Sequence, residues 1–201
     1  MKILRIKRKR AVTAKKITEQ EWESFKKITA YCKDTSHTIG LDLLTLAENN
    51  HIVALNLSGQ ALKFLPPAIE HFHYLKQLLL IENKLTSLPA EIQSLNRLEI
   101  LYLDKNPLKT VPKELLNLKS LQQLSLGETS LSEIPPMIDR LGQLTHLWLN
   151  DNALGSLPSA LSRLTKLQRV DLRGNSQLGS KNARNLTGKE LIDFLASLQQ
   201  E

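Results

Sequence analysis

From Ile52 onward the chain repeats itself every 23 residues without a gap, and nothing else in it restricts the fold so tightly. The blocks read "IVALNLSGQALKFLPPAIEHFHY", "LKQLLLIENKLTSLPAEIQSLNR", "LEILYLDKNPLKTVPKELLNLKS", "LQQLSLGETSLSEIPPMIDRLGQ" and "LTHLWLNDNALGSLPSALSRLTK". A sixth begins at Leu167 with "LQRVDLRGN" and then loses the pattern. One block cannot bury its own apolar faces, so a core forms only where successive blocks stack.

Each block carries the elements of one coil. The pairs Leu55/Leu57, Leu78/Leu80, Leu101/Leu103, Leu124/Leu126, Leu147/Leu149 and Val170/Leu172 have period two, which predicts one short strand per block with one buried face. Equal spacing makes the strands parallel neighbours about 4.8 Å apart. Next comes Asn83, Asn106, Asn152 or Asn175, where the chain turns inward. A buried amide there forms a ladder with backbone groups of adjacent turns that would otherwise stay unsatisfied. The other reading of such an Asn is a surface turn former. Gln60 and Thr129 replace Asn in the first and fourth blocks, so the ladder is incomplete. Pro66, Pro89, Pro112, Pro135 and Pro158 then start the return segment with a fixed φ. Spacings such as Leu88, Ile92 and Leu95 suit a helical turn packing inward.

Residues 52 to about 178 resemble the leucine-rich-repeat family in its 23-residue form, LxxLxLxxNxLxxLPxxIxxLxx. The resemblance implies an α/β fold: a right-handed solenoid with a curved parallel sheet on the concave face, short helical or 3-10 segments on the convex face, and helical caps. It is highly specific for fold and barely specific for function. Intracellular and bacterial repeats of this type imply adaptor or regulatory work, while the partners of relatives do not transfer, because concave residues vary.

The ends are expected to be capped, since terminal repeats would otherwise expose core. Thr18 and Glu21 have capping-box spacing, and Trp22, Phe25 and Ile28 predict a helix running to about Cys32. "IGLDLLTLAEN" reads as a short second helix or a degenerate repeat, with helix favoured by Leu41, Leu44 and Ala47. Thr187 and Glu190 again have capping-box spacing, and Leu191, Ile192, Phe194, Leu195 and Leu198 predict an apolar stripe on a helix over 188–199. The expected organisation is one structural domain. A basic segment and helical cap occupy 1–51, the array 52–178, and a C-terminal helical cap 179–201.

The formal charge of +7 is local in origin. Residues 1–16 hold eight Lys or Arg and no acid, whereas the chain from Ile52 has 16 basic and 14 acidic residues. Nucleic acid is therefore not the expected partner of the body. The basic stretch reads either as a guarded edge strand or as an arm for import, acidic lipid, nucleic acid or protein. Cys32 is the sole cysteine, which excludes an internal disulfide and a cysteine-based zinc cluster. No signal peptide or apolar run of membrane-spanning length is read, so the expected location is the cytoplasm.

No catalytic, metal or cofactor site is expected, nor a small-molecule substrate. Ser125, His146 and Asp171 lie on successive rungs, but nothing resembles a nucleophile elbow. His71 and His73 lack the further ligands a zinc site requires. "LTGKEL" lacks the glycine of a phosphate loop, and Cys32 reads as core.

The remaining question is the second face of the strands, which a half-buried sheet should make polar. In "LEILYLDKN" it is not: Ile100 and Tyr102 alternate with the core leucines. Leu79, Ile81, Ile100 and Tyr102 are contiguous there, followed by Asp104 and then by Ser125 and Gly127, a pair small enough to leave a notch. His146 and Trp148 form a second spot, and Arg169, Asp171 and Arg173 charge the far end. Tyr102 and Trp148 are expected about 10 Å apart with Ser125 between them, two rungs at strand spacing. Such a patch reads as a surface for another protein, with Tyr, Trp and Arg as hot-spot types. Coverage by the N-terminal segment, or ordinary tolerance of exposed apolar residues, is the competing reading. The alternatives carried for function are an effector-type protein binding a host protein, and nucleic-acid or anionic-surface binding through the basic arm.

Overall fold

The computed structural model describes residues 17–32, 44–46, 51–179 and 184–198. The basic residues 1–16, and with them the edge strand or arm read there, lie outside this set. Eight strands form one sheet in chain order: β1 Leu44–Leu46, β2 Ile52–Asn56, β3 Gln77–Leu79, β4 Ile100–Tyr102, β5 Gln123–Ser125, β6 His146–Trp148, β7 Arg169–Asp171 and β8 Asn185–Thr187. From β2 to β7 every pairing is parallel and displaced by one 23-residue block, as in Leu78↔Leu101 and Leu101↔Leu124. This is the expected solenoid. The two outer pairings differ, because β1 runs antiparallel to β2 and β8 antiparallel to β7.

The period-two leucines behave as the pattern predicts. Leu55, Leu78, Leu101, Leu124, Leu147 and Val170 are all buried on one face of the sheet. Five 3-10 turns oppose them: Pro67–His71, Ala90–Ser94, Lys113–Asn117, Pro136–Arg140 and Ser159–Arg163. Each follows the repeat proline, which sits extended at the N-cap and directs the chain into the turn. Ile69, Ile92, Leu115, Ile138 and Leu161 point from these turns into the core.

The inner turn is held by side-chain amides. Asn106 Nδ2 donates to Leu80 O at 2.8 Å and Leu103 O at 2.9 Å, and its Oδ1 accepts from Leu85 N at 3.0 Å. Asn83, Asn152 and Asn175 repeat the arrangement in their own blocks. Each amide thus joins its own coil to the preceding one. At the fourth block Thr129 Oγ1 donates to Leu126 O at 2.7 Å, and Asn152 Oδ1 accepts from Thr129 N. Thr has no second arm for the coil before it. There Leu108 N turns to Asn106 O instead, and Lys109, at φ 62°, adopts the left-handed region.

The N-terminal end is closed by α1, Glu19–Thr29, whose Thr18 Oγ1 accepts from Glu21 N as the capping-box spacing requires. Phe25 and Ile28 are buried in the common core, and the helix ends three residues before Cys32, which is itself buried. Glu21 does more than cap. Its buried carboxylate accepts from Thr18 Oγ1 at 2.7 Å and Ile52 N at 3.2 Å, and it meets His51 Nδ1 at 3.2 Å. It thereby ties the helix to the first strand of the array. The helix expected within "IGLDLLTLAEN" is corrected: Leu44–Leu46 is a strand paired with β2. The exposed edge of a parallel sheet demands partners more strongly than three-residue apolar spacing demands a helix.

At the other end α2, Gly188–Ser197, buries Leu191, Phe194 and, just past its end, Leu198. Two expectations fail here. Thr187 makes no capping hydrogen bond, because it is the last residue of β8 and its backbone stays extended at φ −148°. Gly188, at φ +54°, supplies the sharp change of direction into the helix. Ile192 is 67% exposed and so outside the apolar stripe, being one step round the helix from Leu191.

Replacing Asn106 with Ala leaves Leu80 O, Leu103 O and Leu85 N without their partner in a dry interior. At ~1–3 kcal/mol for each buried polar group left unmade, a loss of at least ~3 kcal/mol in denaturant unfolding is expected. A change below about 1 kcal/mol would show that water reaches the ladder. At α2, Phe194→Asp is expected to lower the melting temperature by many degrees, while Ile192→Asp leaves it nearly unchanged. Equal sensitivity at the two positions would contradict the observed helix phase.

Candidate functional site

The side chains that alternate with the buried leucines face away from the core and form three rows across the sheet. Strand register sets the rows: Gln77, Ile100, Gln123, His146 and Arg169 in one, and Leu79, Tyr102, Ser125, Trp148 and Asp171 in the next. Ile81, Asp104, Gly127, Asn150 and Arg173 follow just beyond the strand ends. Leu79, Ile81, Ile100, Tyr102, His146 and Trp148 are all half-buried although they face solvent.

The aromatic side chains do not stand apart as strand spacing alone implies. Tyr102 and Trp148 meet edge to face with ring centroids 5.7 Å apart, not 10 Å. Both rings lean over the single small residue between them, and Ser125 is buried beneath. Edge-to-face contact gains ~0.5–1.5 kcal/mol beyond its area, enough to draw the rings together. On the far side His146 stacks against Trp148 at 5.4 Å with a 24° tilt. Tyr102 is fixed as well, its hydroxyl donating to Gln123 Oε1 at 2.9 Å. Burial, and then the Asp104 carboxylate, raise the Tyr102 phenol above its ordinary range, so it stays protonated and able to donate.

The expected notch at Ser125 and Gly127 is filled. Asp104 reaches across and accepts from Ser125 Oγ at 2.5 Å and from Gly127 N at 3.1 Å. A Cβ on residue 127 would lie 2.8 Å from Asp104 Oδ1 and 2.9 Å from Asn150 Oδ1, so any side chain there would displace these two side-chain ends. At the charged end, the buried Asp171 carboxylate binds Arg173 through Nε at 2.9 Å and Nη2 at 2.6 Å. Arg169 lies beside His146 in register. Ser125, His146 and Asp171 therefore answer to three different partners and form no catalytic relay. Among the described residues no group of three or more His, Cys, Asp or Glu is placed to hold a metal ion. Nor is any described helix long and apolar enough to cross a membrane.

The sequence located the row but missed its internal bonds. From sequence Asp104 reads as one of the partner-facing residues with nothing to show its bonds to the next rung, and Gln123 carries no signal. Only the register that puts Gln123 beside Ile100 and Ser125 beside Tyr102 reveals the Tyr102–Gln123 and Asp104–Ser125 bonds.

Comparison with known proteins agrees with this architecture. The family model for the leucine-rich repeat matches residues 96–154. A leucine-rich-repeat protein of Leptospira interrogans is 38% identical over 63% of this chain and 32% of its own, with a TM-score of 0.60. The leucine-rich-repeat domain of the type III effector XopL is 31% identical over 64% of this chain and 47% of its own, at 0.56. Internalin C2 of Listeria monocytogenes is 26% identical over 63% and 58%, at 0.53. None of the curated proteins matches the chain. The chain thus spans less than two thirds of the length of each of these solved structures. Residues 96–154 therefore carry the leucine-rich repeat, and the fold around them is that of a leucine-rich-repeat solenoid, with α1 and α2 at its two ends.

The stacked His146–Trp148 pair gives the site a spectroscopic handle. Burial first, and the neighbouring Arg169 second, lower the His146 pKa below the ordinary histidine value. The imidazole therefore stays neutral to lower pH than a free histidine and becomes a cation, which quenches indole emission, only below that. In a Trp22→Phe background, Trp148 fluorescence is expected to drop with a midpoint below the usual histidine range. His146→Gln should abolish the transition, and a midpoint above that range would show that a carboxylate, not Arg169, controls the ring.

Proposed function

We propose that the chain is a non-catalytic protein-interaction module, an adaptor or regulatory scaffold that binds another protein on its concave face. One observation carries this reading. Tyr102, Trp148 and His146 form a rigid aromatic wall on the side of the sheet that the core does not use. Aromatic residues held in place lose little conformational freedom when a partner arrives, which favours them as anchors. Leu79, Ile81 and Ile100 extend the wall, while Arg169, Asp171 and Arg173 bound it. The leucine-rich-repeat fold supports the same reading, since such proteins are generally binding modules without catalysis. A cytoplasmic setting fits the single, buried, unpaired Cys32.

The likeness to the repeat domain of a type III effector supports a second reading, in which the partner is a host protein. A translocation assay separates the two.

The concave face is tested by Tyr102→Ala/Trp148→Ala. Neither ring is part of the leucine core, so melting should fall by only a few degrees. Capture of the partner, recovered with the wild-type protein as bait, should weaken by ~2 kcal/mol or more per hot-spot truncation. Intact folding with undiminished capture would move the interface to the convex side or the basic arm.

A further inference from the structure

Beside the aromatic wall runs a column of residues, one per block, whose backbone is left-handed throughout. Gly59 (φ 72°) and Gly174 (φ 75°) occupy it at the outer rungs, as such a conformation favours. The four inner rungs instead carry Glu82 (58°), Lys105 (57°), Glu128 (54°) and Asp151 (55°). Within the column Lys105 Nζ binds Glu82 Oε1 at 2.9 Å. Glu128 and Asp151, level with Ser125 and Trp148, lie within electrostatic reach of Lys105 and Arg173 but make no direct ion pair among the described residues, and Asp151 Oδ2 accepts from Asn150 Nδ2 at 2.8 Å. The opposite border of the sheet is balanced: Lys76 pairs with Glu99 at 3.0 Å, and the next rungs carry Gln122, Thr145 and Gln168.

The concave face therefore pairs an aliphatic and aromatic floor with a border that carries three carboxylates to one lysine. We infer that its occupant is an extended basic segment of another protein, with aliphatic side chains on Leu79, Ile81 and Ile100 and Lys or Arg side chains reaching Glu128 and Asp151. Such side chains suit the route, because their methylene stems lie along aromatic surface while the charged heads reach the border. An acidic segment would meet the two carboxylates as like charges, and a neutral one would make no use of the border's excess of negative charge. This inference rests on the concave-face reading and adds the chemistry of the partner to it.

The test is panning of phage-displayed random dodecapeptides on the full chain. Selected clones are then measured against Tyr102→Ala/Trp148→Ala, Leu79→Arg and Glu128→Lys/Asp151→Lys. Leu79→Arg blocks the floor independently, should loss of both rings disturb folding. Glu128 and Asp151 are exposed, so the charge reversal is expected to leave melting unchanged. The expected clones combine Lys or Arg with aliphatic residues, weaken as salt is raised, and lose about tenfold or more on each variant. Clones without basic bias that need the floor but ignore the charge reversal would overturn the inference and leave the concave-face reading standing. Basic clones indifferent to both floor variants would overturn that reading as well. Failure to enrich any clone would rule out a linear segment as occupant. Enrichment that appears only after the eight Lys and Arg of residues 1–16 are changed to Ser would instead assign the face to the chain's own arm.

Discussion

The asparagine carboxamide at the inner turn of four of the coils, Asn83, Asn106, Asn152 and Asn175, is the interaction on which the rest of this structure depends. Packing leucines against leucines is favourable but unspecific, and would tolerate coils slipping past one another. The amide does not. With two donors and one acceptor directed at three backbone groups in two successive coils, it fixes the stacking distance and the register together. Each such group is buried, so the alternative to the bond is an unsatisfied amide or carbonyl in a dry interior. Strand pairing by whole 23-residue blocks follows from that constraint, and with it the alignment of all solvent-facing side chains into rows.

Repetition made most of this legible before any coordinates. Strands, proline-led turns and the buried leucine face follow from one block read five times, because every coil meets the same neighbours. The misread parts lie where a coil lacks a neighbour on one side. At Leu44–Leu46 the apolar spacing of a helix lost to the unpaired edge of β2. At Thr187 the capping-box spacing lost to pairing with β7, and Ile192 was left in solvent. In both places the demand of a sheet edge for hydrogen-bond partners outweighed local propensity, and local propensity was the only signal the sequence offered there.

The concave face was legible in identity but not in geometry, and for a different reason. Period two states which residues share a face, while side-chain direction over a row of mixed sizes depends on what each finds to touch. A serine between two large aromatic residues leaves room, and the rings close over it to 5.7 Å. The same small pair, Ser125 and Gly127, lets Asp104 cross to the next rung and satisfy a hydroxyl and an amide there. Ser125 and Gly127 are thus not a gap in the surface but what allows their neighbours to close into one wall.

Strand alternation also separates stability from recognition within each block. The leucine side and the amide ladder carry the fold, so the other side is free to vary without loss of the coil. On the rungs that carry Tyr102, His146 and Trp148, the rings are held by mutual contact and by Gln123. The wall has natural limits. Toward the C-terminal cap, Asp171 neutralises Arg173 through a paired bond, and the antiparallel β8 closes the sheet. Toward the N-terminal cap, the first rung offers only Ala54, Asn56 and Ser58. The aliphatic and aromatic floor is thereby confined to the rungs between, where Glu128 and Asp151 run beside it.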